Sequence, residues 1–259
     1  MIKKIINFIL LLVLMAGCSK KDVYLEEELY PRFEKAMKFF NKGKYSRAKD
    51  EFDYIIMSNP GSKIANESHY FMAESMFQLE EYAEASTAFD RYVRFSPDYS
   101  KIEESRYRIC ECAINLSNLY QRDQSQTHYA LEQLQMFIED FPESDFLDDA
   151  EEAILSLRLK LARKDYEVGR MYLKSEEYDS AVIYFQSVLN HYYDTSFADD
   201  ARIGIIFTHI LNENRESAQS YFNSQEGRFL SDNKYKEAET LLQNTETGLG
   251  MTQYYQLYK

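Results

Sequence analysis

A spacing of 37 residues constrains this chain more than any other feature. Tyr45, Ala48, Phe52, Ile55 and Pro60 return 37 positions later as Tyr82, Ala85, Phe89, Tyr92 and Pro97. The register reappears as Ala130, Leu134, Phe137 and Pro142, then as Tyr178, Ala181, Phe185 and Val188 with Tyr193 where proline would fall. A weaker copy has Ala218 and Phe222. Steps of three and four residues put each set on one helical face. Proline closes the set because it lacks an N–H and pushes the preceding residue out of helical geometry. Twelve residues before the alanines stand Ala36, Ala73, Gly169 and Ile206. Each is flanked at helical spacing by an apolar pair: Phe33 and Phe40, Tyr70 and Phe77, Tyr166 and Leu173, Ile203 and Ile210. The copies therefore encode pairs of antiparallel helices, three of them with an aromatic residue at the turn (Tyr45, Tyr82 and Tyr178) and with a small or apolar residue where the helices approach.

In the third copy the register slips. Cys110 takes the small position, and Asn118–Thr127, with the polar run Gln121–Gln126, reads as a lengthened loop. Asp148–Arg170 has no helix breaker before Gly169 and predicts one extended helix. These hairpins resemble the tetratricopeptide repeat. The implied fold is all-α: a right-handed superhelical solenoid of about five tetratricopeptide-type hairpins over residues 30–223. Residues 224–259 form a C-terminal tail with a short helix at Asn233–Gln243. Such a solenoid leaves a concave surface. First-helix residues beside the core stripe point toward it, which makes Tyr30, Met37, Glu67 and Glu74 candidates for partner binding; the same residues also suit solvated helix surface.

The N-terminus carries a different signal. Lys3 and Lys4 precede an apolar run from Ile5 to Met15, and small residues follow. This is the layout of a secretory leader, too short for the roughly 20 apolar residues of a spanning helix. Leu14-Met15-Ala16-Gly17-Cys18 resembles a bacterial lipobox, with Met15 where leucine is usual. The reading is a signal peptide over 1–17, lipid attachment at Cys18 and a polar tether over 18–29; a plain leader with an incidental cysteine, or an uncleaved anchor, is the other reading. By resemblance to the sorting rule of some Gram-negative bacteria, Ser19 after the cysteine favours the outer membrane.

The formal charge of −13 repels phosphate backbones and argues against nucleic-acid binding. It also argues against broad adhesion to anionic lipid, so the lipid anchor is the membrane contact. His69, His128, His191 and His209 show no metal-ligand spacing, and no phosphate-binding glycine loop or Gly-x-Ser-x-Gly elbow occurs. We therefore expect no enzyme, no cofactor and no metal. Cys110 and Cys112 stand about 200° apart around a helix and should not pair with each other.

Beyond the repeat, three segments carry a closer likeness. Arg91-Tyr92-Val93-Arg94-Phe95-Ser96-Pro97, Leu161–Gly169 and Tyr192-Tyr193-Asp194-Thr195-Ser196 resemble the BamD (ComL) family of outer-membrane assembly lipoproteins, with a proline lost from the last segment. The likeness covers about Glu28 to Phe222. It implies a periplasm-facing, lipid-anchored subunit of the machinery that inserts β-barrel proteins. Its implied partners are unfolded outer-membrane β-barrel proteins at the N-terminal hairpins, the core barrel subunit at the C-terminal hairpins, and other assembly subunits. A scaffold of the same fold serving cell-wall synthesis, export or division is the alternative.

Overall fold

The computed structural model describes residues 26–247. The expected leader, Cys18, the tether before Glu26 and the chain after Thr247 lie outside the described residues. Eleven helices and no strand occur among the described residues, and the chain divides into two compact units, one reaching to Cys112 and one beginning at Ala113. The fold class is all-α, of tetratricopeptide-type hairpins.

The first unit contains α1 (Glu26–Phe40), α2 (Tyr45–Ser58), α3 (Lys63–Gln78), α4 (Tyr82–Phe95) and most of α5 (Tyr99–Leu116). Its core is built from the repeated positions: Ala36, Ala48, Phe52, Ala73, Ala85 and Phe89 are fully buried. Phe71 stacks on Phe52 at 5.8 Å and meets Tyr70 edge-on at 5.3 Å, linking the first hairpin to the second. Burying a phenylalanine or isoleucine of this kind stabilises the fold by about 1.5–3 kcal/mol. Cys110 and Cys112 are both buried and unbridged, and burial pushes each thiol up to about 12.

The second unit contains α6 (Ser125–Asp140), α7 (Leu147–Lys174), α8 (Tyr178–His191), α9 (Phe197–Leu211), α10 (Arg215–Ser224) and α11 (Asp232–Thr247). The extended helix expected from Asp148–Arg170 is α7. Phe185 is fully buried between two glycines. A Cβ at Gly169 would stand 2.8 Å from its ring, and one at Gly204 would stand 2.9 Å from it. Here the small residue of the repeat must be glycine, where the first two hairpins use Ala36 and Ala73.

The hairpin turns share one geometry. After α3, the Glu80 N–H donates to the Phe77 carbonyl and the Glu81 N–H to the Met76 carbonyl, the Schellman pattern. Equivalent bonds follow α1, α7 and α9. The turn residue is left-handed in all four: Gly43 at φ 68°, Glu80 and Glu176 at 62°, and Glu213 at 56°. Only the first hairpin fills this position with glycine.

Three expectations are corrected. The loop ends at Gln124 rather than Thr127: Thr127 is buried in the first turn of α6, and its hydroxyl donates to Gln124 Oε1 at 2.8 Å. The tether reading of residues 18–29 overlaps α1, whose Leu29 is 3% exposed, so the helix starts before Pro31. Within the tail drawn from residue 224, α11 belongs to the core, because its Ala238, Leu241 and Leu242 are buried in one cluster with Phe222 and Ile206. Buried Asp199 fixes that helix in place. It accepts from the Leu230 N–H at 3.0 Å, the Ser231 N–H at 2.9 Å and the Arg202 guanidinium at 2.9 Å.

Candidate functional site

Helix α3 buries two flanks, Tyr70, Ala73 and Phe77 toward α4 and Ile64, Ser68 and Ser75 on the other side. Two narrow faces remain between them, and the structure treats these faces oppositely. The first carries Glu67 and Glu74. Arg108 of α5 donates from Nε to Glu74 Oε1 at 2.8 Å and from Nη1 to Glu111 Oε2 at 2.6 Å. Lys101 stands 3.8 Å from Glu67 and 5.0 Å from the Tyr70 ring. Glu74 is only 5% exposed. Burial raises its carboxyl above the usual range, and the Arg108 charge opposes that rise. Burial also pushes the Tyr70 phenol far up, with help from the nearby Glu74 and Glu104 charges.

The expected site residues therefore separate. Tyr30 is 49% exposed on α1. Met37 is half-buried and packs against the first hairpin's core. Glu67 remains partly exposed beside Lys101, and Glu74 is held inside by Arg108. The fitting cations come from the next repeat, 34 residues on in each case, and a stripe drawn within one helix does not reveal them.

The opposite face of α3 carries His69, Met72 and Met76, and it is open. It floors a groove walled by α2 on one side and α4 on the other. Two cavities of about 410 and 520 Å³ lie along it and meet at His69 and Arg91, which line both. Burial, joined by the Arg91 charge, holds the His69 imidazole below its ordinary value, while Asp53 opposes them. It is therefore neutral at neutral pH. Arg91 is exposed and forms no ion pair among the described residues. At the larger cavity, Met57 is 60% exposed and Phe95 73% exposed, a large apolar pair left to solvent. No cluster of three or more His, Cys, Asp or Glu residues suited to a metal occurs among the described residues.

Thioether, imidazole and guanidinium side chains line the groove. Sequence reading passed over it because His69, Met72 and Met76 sit one residue out of phase with the core stripe Tyr70, Ala73 and Phe77. That offset second apolar stripe was the available signal.

The family model described as YfiO, outer membrane lipoprotein, matches residues 26–222. The chain belongs to this family. Among YfiO-type relatives, the outer membrane protein assembly factor BamD of Rickettsia prowazekii is 23% identical over 234 residues, covering 90% of this chain and 93% of the relative. The BamD of Caulobacter vibrioides is 29% identical over 126 residues, 47% of this chain and 40% of its own. Among solved structures, MamA from Desulfovibrio magneticus RS-1 aligns at a TM-score of 0.37 and 14% identity, over 78% of this chain and 94% of that one. The family match spans the groove and Arg91–Pro97, where the sequence first resembled the family.

Proposed function

We propose that this chain is an assembly factor for outer membrane proteins, anchored by lipid at Cys18 and facing the periplasm. It binds extended segments of unfolded β-barrel proteins and docks on the core barrel subunit, with no chemistry of its own. The observation that carries this reading is the near full-length relationship to a BamD, covering 93% of that relative. The groove of the first unit supports it. Apolar and thioether side chains with one unpaired guanidinium suit a polypeptide segment, and methionine adapts to varied partners. Tyr30 on α1 and Glu67 on the other face of α3 are proposed as secondary contacts outside the groove.

The test is a pull-down of the tagged, membrane-extracted protein read by mass spectrometry, beside Cys18→Ala. Recovery of a large barrel-forming subunit, with loss of the variant from the membrane fraction, supports the role and the anchor. Recovery of wall-synthesis or export proteins alone refutes the assembly role.

A further inference from the structure

The groove over α3 has a feature that narrows what it can hold. Its single unpaired cation lies where the two cavities meet, with apolar side chains lining each of them. On α4 the lining runs from Ala83 past Arg91 to Phe95, about 18 Å at 1.5 Å per residue. An extended chain covers that length with about five or six residues. Toward Phe95, the larger cavity is bordered by Ile56, Met57 and Tyr92, with no carboxylate among its lining residues. Toward Ala83, Met72 and Met76 line the smaller one, with Glu84 at its edge.

In a chain of net charge −13, an exposed arginine with no acidic partner stands out, because its neighbours elsewhere are engaged: Arg94 by Asp90 and Arg108 by Glu74 and Glu111. His69 beside it is neutral and adds a hydrogen-bonding edge without a competing negative charge. A free chain end captured at Arg91 would leave half of the groove empty. An internal acid fills both halves.

We infer that this groove takes an internal, extended polypeptide segment in which one acidic side chain lies between large apolar ones. The acid pairs with Arg91, and the flanking apolar side chains enter the cavities on either side. This inference rests on the protein-binding role proposed above and gives it a site and a sequence preference.

The experiment uses the full chain in detergent and short fluorescent peptides blocked at both ends. Each peptide carries a central Glu, Gln or Lys between leucine and phenylalanine. The Glu peptide should bind about fivefold tighter than the Gln peptide, the upper end for an exposed ion pair. Arg91→Glu should reverse the order in favour of Lys, and added salt should shrink the difference. Met57→Ser should weaken every peptide alike. Arg91 is exposed and unpaired, so its variant should keep the wild-type circular dichroism and Tm. Equal affinity for Glu and Gln, indifference to Arg91→Glu, or binding only of peptides with a free C-terminal carboxylate would each overturn the inference. Co-purification of assembly subunits with Arg91→Glu reads the broader role separately: partners retained while peptide preference is lost would sustain both claims.

Discussion

The second and fourth hairpins carry the same Tyr, Ala and Phe of the repeat, yet they are finished in opposite ways. In the second, Phe89 packs against Ala73 and Tyr70, and the outer face of α3 stays open over His69, Met72 and Met76. In the fourth, two glycines clamp Phe185, and the α9 helix packed on it holds α11 through buried Asp199 and Arg202. The repeated residues build the core in both. Residues outside the stripe decide whether a surface is closed by the chain or left open.

Removing the closure should produce the largest effect. Asp199→Ala leaves the Arg202 guanidinium buried and two backbone N–H groups without their acceptor, a loss of about 3–5 kcal/mol. Denaturant unfolding checks the magnitude, and hydrogen exchange should show α11 losing protection first. Unchanged protection there would remove the closing role of Asp199.

The clamp itself comes next. Gly204→Ala drives a methyl group into the Phe185 ring and should cost about 1–3 kcal/mol. The converse change in the second hairpin, Ala73→Gly, should cost about 1 kcal/mol from helix propensity alone. Equal losses would mean that Phe185 is no more tightly held than Phe89.

A pH series sharpens the contrast between the two faces of α3. Burial raises the Glu74 pKa in the folded chain, so folding favours its protonated form. Wild-type stability relative to a neutral side chain is therefore lost as pH rises from the ordinary carboxylate value through the raised one. Glu74→Gln should match the wild type below about pH 4 and gain on it toward neutrality. A Tm difference that instead grows toward acid would reverse the assignment.

The smallest stability effect belongs to the open face. Met57→Ser and Phe95→Ser change exposed side chains and should shift stability by no more than about 0.5 kcal/mol, while weakening peptide binding in an anisotropy titration. A large loss of stability would show that these side chains serve the fold.

Much of the fold was legible in the sequence because helix pairs are encoded locally. Phe52, Phe89 and Phe185 announced their own burial by spacing alone, and the extended run ending near Gly169 announced α7. The need for glycine at Gly169 was not readable, since Gly204 touches the same ring from another repeat. The site was less legible for the same reason. Glu74 looked like surface until Arg108, 34 residues away, closed over it. The groove depends on α2 and α4 rising on either side of an offset stripe, and that follows only from how the hairpins pack.

The most direct test is site-specific photo-cross-linking in living cells, with a photoreactive phenylalanine at Phe95 in the open groove and, separately, at Glu67 on the opposite face. The Phe95 probe should capture unfolded outer-membrane β-barrel polypeptides, and the Glu67 probe should capture far fewer. Capture from Glu67 alone, or capture of no barrel polypeptide from Phe95, would contradict the proposed role of the groove.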